Sequence, residues 1–529
     1  MPKYHRLDNP ASVDRQSEDL GVLQQSPEPE KSYANAKSWD IGSVSGSFSD
    51  DVAQDSGVKL RSVSPSNDED VFMDDRRVDE AISSSAFEQF DLDEDDIGFP
   101  LTEATPQSVG GNFRAAFFNM TNSIVGAGIV GIPRALKNSG LLSGVILLTA
   151  LAALNDWTLR LIILNTKLSG ARTYTGFVTK NFGKPGKVIV LLSQGLFAFG
   201  GSVGFAVIIG DSIPHVLRSL FKNAAQNSKF VNFLLSRNVI IVFCIGFISY
   251  PLSLTRDISK LAKASGLALI SMLIIIIIVV VTGPQMPASI RGPITGSEWF
   301  IQSGIFKGIS VISFAMVCHH NTTFIYDSLR KPTLDRFNAV THLSCTVSSI
   351  LCAIMGLSGF LNFGSKTKGN VLNNFPGDDW AVNIARFCFG LNMLTTFPLE
   401  IYVVREVFKD LLTIYQQIRR RDPTYKIEQL SDRQHVIVTT FVSFLPMVIS
   451  LFTCNLGAVL ELVGATSASV IAYILPPMCY DKMTKRGKTT LQRIPSILCI
   501  VFGFVVMVVS STQTIMDSIN EKEGGHCVD

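Results

Sequence analysis

Charged side chains are scarce in this sequence: Asp, Glu, Lys and Arg make up 17% of 529 residues, hydrophobic residues make up 47%, and the mean hydropathy is +0.30. That balance excludes an ordinary soluble enzyme and points to a chain largely, but not wholly, embedded in lipid. No spacing of His, Cys, Asp and Glu suits a metal ion, and no nucleophile–base pair comes with a soluble domain to hold it, so catalysis is not expected. No pore loop repeats. Of nine cysteines, Cys244, Cys318, Cys345, Cys352, Cys388, Cys454, Cys479 and Cys499 fall in or beside hydrophobic runs and only Cys527 lies clearly outside, so no disulfide framework is implied. Met1–Asp19 is polar and charged and does not read as a signal peptide. The Asn-x-Ser/Thr triplets begin at Asn119 and Asn321, both inside hydrophobic runs, where glycosylation cannot reach them. The Gly-rich text over 126–131 lacks a preceding strand, so it is no nucleotide fingerprint.

The net charge of +2 conceals a division. Up to residue 105 there are 9 basic and 24 acidic side chains, which leaves 37 and 20 for the rest. Residues 1–105 are rich in Ser, Asp, Glu, Gln and Pro and cannot bury enough apolar surface to offset ordering entropy, so a disordered acidic tail is predicted. Ser26, Ser64 and Ser66 are candidate phosphate acceptors, although such sites more often go unused; Asp91–Asp96 reads as a solvated spacer or a partner motif. The basic charges of the body lie in short loops, which argues against nucleic acid as a partner.

From Phe113 on, runs long enough to cross a ~30 Å hydrocarbon core recur. Eleven spans are predicted, near 113–136, 141–164, 188–213, 237–254, 261–282, 303–327, 336–361, 381–405, 435–453, 456–478 and 494–517. The run over 267–282 reads as the plainest lipid-facing helix, and Cys454–Gly457 as a very short turn. With the amino terminus in the cytosol, the cytosolic loops hold 23 basic residues and the opposite loops and carboxyl-terminal tail hold 10, the bias that such an orientation requires. The fold class is therefore an all-α polytopic membrane protein, with a cytosolic tail over 1–105, a transmembrane domain over 110–517 and a short lumenal tail over 518–529.

Polar residues stand at membrane depth in three places. The first span opens on Asn119, Thr121, Asn122 and Ser123, sets Gly126, Gly128 and Gly131 around Ala127, and closes on Pro133. Glycine lets a backbone leave the helix, and each freed N–H or C=O must then find a partner inside the bilayer. Carriers use such breaks to present bare backbone to an ion or a zwitterion; the alternative is a small-residue face for close helix packing. The sixth span carries Cys318, His319, His320 and Asn321, and the eighth carries Asn392, Thr395, Thr396 and Glu400 around Pro398. Spans one and six are separated as a five-plus-five inverted repeat with broken first helices requires. His319 or His320 is either a proton-linked or gating group or an imidazole bonded between helices, and at ~100° per residue at most one of them lines a cavity. Thr395 and Thr396 either offer oxygens to Na⁺ or bond back to their own carbonyls. Glu400 either carries a proton or pairs with Arg405 about one turn away.

Phe118–Pro133 resembles the first-helix signature of the amino acid/auxin permease superfamily. Phe314–Tyr326 resembles the Cys-His-His-Asn motif, and Leu394–Glu406 the eighth-helix signature, of the branch holding the sodium-coupled neutral amino acid transporters and the fungal vacuolar amino acid transporters. The resemblance covers 110–517 and implies a LeuT-like 5+5 inverted repeat with an eleventh helix, alternating access, and no cofactor. It places substrate at the backbone of Val125, Gly126, Ala127 and Gly128, with Asn122, Phe314 and His319 beside it. Ion coupling falls to Asn122, Thr395, Thr396 and Glu400. Asn122 and Thr396 match positions tied to sodium in the sodium-coupled branch, whereas the vacuolar relatives imply protons; Ala127 stands where the sodium-coupled branch often has Ser.

The function expected is secondary active transport of small neutral amino acids across a vacuolar, lysosome-like membrane, coupled to H⁺ with Na⁺ as the alternative, and directed to the cytosol. Two other readings remain: an amino-acid sensor acting on a cytosolic partner through the amino-terminal tail, and a sodium-coupled importer of the plasma membrane.

Overall fold

A computed structural model describes residues 113–256, 265–485 and 490–520. The acidic tail over 1–105, with its candidate phosphate acceptors and Asp91–Asp96, lies outside the described residues, as do Cys527 and most of 518–529. No strand occurs among the described residues, and nine of their helices are long and apolar enough to cross a membrane. Two further stretches stand between them. Arg237–Ser253 is a shorter apolar helix with a π-helical turn at Cys244–Ser249, and Ile305–Met316 and Thr322–Asp327 are the two pieces of a broken helix. In chain order these are called spans 1 to 11.

The pattern of burial is that of a lipid-embedded bundle. Phe247, Ile437 and Phe452 are exposed by 72%, 67% and 84%, while Asn155, Ser310, Ser313, His319 and Thr322 are completely buried. Apolar surface faces outward and polar groups face one another, as a hydrocarbon solvent demands. The expectation for 267–282 is corrected. Span 5 (Ser265–Thr282) buries Met272, Ile275, Ile276 and Val279 while exposing Ile270, Ile277 and Val281, so one of its faces packs on protein. Span 11 (Thr490–Asn520) is the barer helix, 28% buried in its apolar window against 50% for span 5. Uniform Ile and Val text carries no periodicity from which a packed face could be read.

Helix limits differ from the hydropathy reading where polar residues extend a helix past the bilayer. Span 3 begins at Tyr174, capped by Thr173, which accepts the Gly176 amide. It bends at Gly183, whose φ of 65° suits glycine, beside Pro185. Span 8 (Trp380–Arg420) runs fifteen residues past its expected end. The turn before span 10 is indeed short: span 9 (Asp432–Phe452) ends, and Asn455 already caps the next helix by accepting the Ala458 amide. Span 10 (Leu456–Thr484) then passes through two π-helical turns, Gly464–Ala468 and Val470–Ile474. One cysteine departs from expectation. Cys454 in that turn is disulfide-bonded, whereas Cys244, Cys318, Cys345, Cys352, Cys388, Cys479 and Cys499 are free. A single bridge to a turn cysteine leaves no spacing pattern to read.

Candidate substrate site

Span 1 is interrupted where its glycines cluster. The helix Phe113–Ile124 ends, Gly126 adopts φ −55° and ψ −147°, and the chain resumes as a 3₁₀ turn, Ala127–Gly131, leading into Ile132–Ser139 with Pro133 in its first turn. Val125 still donates to the Thr121 carbonyl and Ile129 to that of Gly126. Between them, the amides of Gly126, Ala127 and Gly128 and the carbonyls of Asn122, Ser123 and Ile124 have no hydrogen-bond partner among the described residues. Span 6 is interrupted in the same way. Ile305–Met316 ends, Val317 is extended (φ −82°, ψ 114°), and a 3₁₀ turn, His319–Asn321, leads into Thr322–Asp327.

The two breaks touch. A Cβ placed on Gly128 would lie 2.5 Å from the Ala315 Cα, so the backbones meet closely and only glycine fits there. Gly126 is different: the nearest atoms to such a Cβ are the Asn122 and Ser123 carbonyl oxygens at 3.8 and 3.9 Å, ordinary contacts. The two readings of the glycine cluster therefore divide between residues. Gly128 is a packing glycine, while Gly126 leaves room.

Side chains complete the surroundings. His319 is fully buried and shares a 2.8 Å hydrogen bond with Thr158 of span 2 (Leu141–Ser169), which leaves its Nδ1 without a partner. His320 lies against the Phe197 ring of span 3 at 5.1 Å, and Phe314 meets the same ring at 5.4 Å. Asn321 Nδ2 donates to Ser123 Oγ at 3.2 Å, tying the two breaks together. Asn122 is half-buried and makes no side-chain hydrogen bond with a described residue. Tyr473 of span 10 accepts from Asn155 Nδ2 at 3.3 Å and donates to Ser313 Oγ at 3.0 Å, joining spans 2, 6 and 10 behind the break.

Span 8 contributes from further off. Thr395 donates to the Leu391 and Asn392 carbonyls, and Thr396 to the Asn392 carbonyl at 2.8 Å and its Oδ1 at 3.1 Å. Both hydroxyls thus bond back within their own helix, and no hydrogen bond joins them to Asn122. The pairing of Glu400 with Arg405 is not found: Arg405 donates to the Ser253 carbonyl and to Thr439 Oγ1, and Glu400 Oε2 is buried without a partner. Sequence reasoning passed over Asn155, Thr158, Phe197 and Tyr473. Asn155 and Thr158, with Asp156 between them, were visible as polar residues at depth in span 2; Phe197 and Tyr473 carried no signal beyond hydrophobicity.

The family model for transmembrane amino acid transporter proteins matches residues 110–516. The chain belongs to this family. The match reaches all eleven spans, stopping four residues short of the end of span 11, and the family is one of transporters rather than enzymes. Among relatives, the chain is 51% identical over 438 residues to vacuolar amino acid transporter 2 of Saccharomyces cerevisiae, covering 83% of this chain and 89% of that one. It is 34% identical over 400 residues to a putative sodium-coupled neutral amino acid transporter 11 of Danio rerio, covering 75% and 84%. To the sodium-coupled neutral amino acid symporter 2 of the same fish it is 24% identical over 467 residues, covering 82% and 89%.

Proposed function

We propose that this protein is a secondary active transporter that moves small neutral amino acids out of the vacuole by alternating access, with a proton as the coupling ion. The observation that carries the reading is the pair of adjoining breaks in spans 1 and 6 with their unpartnered backbone. A zwitterion needs donors for its carboxylate and acceptors for its amine. The amides of Gly126, Ala127 and Gly128 stand at the start of a helix, where the dipole favours an anion. The carbonyls of Asn122, Ser123 and Ile124 stand at the end of one, where it favours a cation. Asn122, Phe314 and His319 border the same space. The recurrence of a break five spans later supports an inverted repeat of the LeuT kind.

The vacuolar membrane is the proposed location, with the amino terminus cytosolic and the carboxyl terminus lumenal. The relative of highest identity given above is a vacuolar transporter by name, and the loop charges support the orientation. So does the bonded Cys454 in a loop assigned to the lumen, since disulfides persist away from the cytosol. An acidic lumen then drives proton and substrate outward together. Glu400, with an unpartnered carboxylate oxygen, is the proposed proton carrier.

A panel of radiolabelled neutral amino acids, loaded into proteoliposomes with an acid interior, tests this reading. Efflux should collapse with a protonophore, and Glu400→Gln should flatten its dependence on pH. Efflux that follows a sodium gradient instead would reassign the coupling to Asn122 and Thr396.

A further inference from the structure

The seam between spans 3 and 8 holds a feature that the substrate breaks do not explain. The two helices run antiparallel and close together. A Cβ on Gly195 would lie 2.9 Å from Val407, and one on Gly390 would lie 2.4 Å from Ile213. At Gly201 the seam opens: a Cβ there would meet the Glu400 Cδ at 3.9 Å and nothing nearer. We propose that Gly201 determines coupling, because its missing side chain leaves the Glu400 carboxylate to a proton rather than to a protein donor. This inference rests on Glu400 carrying the proton.

The surroundings of Glu400 support it. Span 3 has no ionisable residue between Lys187 and Asp211, and Asp211 is held by Arg237 and Asn373. Span 5 has none over Ser265–Thr282. Span 4 offers Tyr250, which is bonded to Thr440, the free thiol Cys244, and Arg237, which is bonded to the Ser450 and Thr453 carbonyls. Span 9 brings His435, which contacts Leu254 O and Arg405, and in its first turn Arg433 and Asp432, the latter paired with Arg256. On span 8 itself Arg405 is bonded to backbone and Thr439, and Glu406 pairs with Lys409. Span 6 presents His319, bonded to Thr158, and His320, against Phe197. No cation among the described residues is paired with the carboxylate, and position 201 is where a single side chain could supply a donor.

Gly201 also ties the carboxylate to the substrate site. Phe197 precedes it by four residues, so both lie on one face of span 3, about 6 Å apart along the axis. Phe197 touches His320 and Phe314 at the span 6 break. One helix face therefore contacts both the proton site and the substrate site.

The test compares Gly201→Ala, Gly201→Asn, Gly201→Leu and Glu400→Gln in proteoliposomes, measuring efflux of the radiolabelled neutral amino acids across pH. Gly201→Asn adds a donor beside the carboxylate and should move the midpoint of the pH profile about one to two units toward acid. Gly201→Ala should keep the wild-type midpoint. Gly201→Leu, branched at Cγ with the same number of heavy atoms as Asn but bulkier and without a donor, should lower maximal efflux at an unchanged midpoint. Equal midpoints for Asn and Leu would overturn the role of Gly201. An unchanged profile in Glu400→Gln would instead overturn the proton reading of Glu400, and Gly201 with it. Should Gly201→Asn transport nothing, the infrared carboxyl band that is absent from Glu400→Gln still decides. Its titration should move toward acid in purified Gly201→Asn, and an unmoved band overturns the proposal.

Discussion

The two halves of span 1 meet their neighbours in opposite ways. Beyond the break, Ala127–Pro133 is wholly buried, and so is Gly308–Met316 of span 6. Here closure is by shape. Added Cβ atoms would collide with Ala315 from Gly128, with Leu460 from Gly131, with Ser139 from Gly308 and with the Ser310 carbonyl from Gly464, all at 2.8 Å or less. Before the break, Arg114, Ala115, Phe118 and Asn119 are exposed while Ala116, Met120, Thr121 and Ile124 are buried, and hydrogen bonds run from Asn321 to Ser123 and from Ser344 to the Phe117 carbonyl. A contact with no room for a methyl group changes only if helices separate. A lone hydrogen bond contributes about 1 kcal/mol and is readily exchanged for water. The half beyond the break is thus the more tightly closed by shape, and the half that begins the span is the more exposed.

Substitutions can break this contrast. Gly128→Leu should have the largest effect, because overpacking against the Ala315 backbone destabilises by about 3 kcal/mol or more. Efflux should vanish, and the melting temperature of the purified protein should fall. Gly126→Leu comes next: efflux should drop at least about tenfold, since Leu fills the space left for substrate, yet melting should stay near wild type because nothing is displaced. Tyr473→Phe removes a donor to Ser313 and leaves Asn155 short of an acceptor, a loss of about 1–3 kcal/mol, and should slow efflux several-fold. Asn321→Ala should do least, about 0.5–1.5 kcal/mol, with efflux within about threefold of wild type. An Asn321→Ala variant as damaged as Gly128→Leu would show that the two halves are held alike.

Much of the fold was legible because lipid enforces long apolar runs, and the breaks at Gly126 and Cys318 were legible because glycine and polar residues are costly there. The division of labour between Gly126 and Gly128 was not. It depends on Ala315, nearly two hundred residues later and itself unremarkable in sequence. The Phe197–Gly201 face was hidden for the same reason, since Phe and Gly in an apolar run announce neither a pocket nor a carboxylate opposite. Span 5 misled because a run of Ile and Val looks identical on its packed and lipid faces. The helix over Tyr174–Gly183 was missed because hydropathy sees only what lies in hydrocarbon.

The central claim is that substrate sits on the bare backbone beside Gly126. The most direct measurement is the stabilisation that the best-transported amino acid of the panel gives to purified protein in thermal unfolding. At a hundredfold excess over the dissociation constant, binding adds about 2.7 kcal/mol. Wild type should show that stabilisation, as should Gly246→Leu, a control at a glycine with nothing within 4 Å. Gly126→Leu should show none while melting normally without ligand. Full stabilisation of Gly126→Leu by the amino acid would contradict the account.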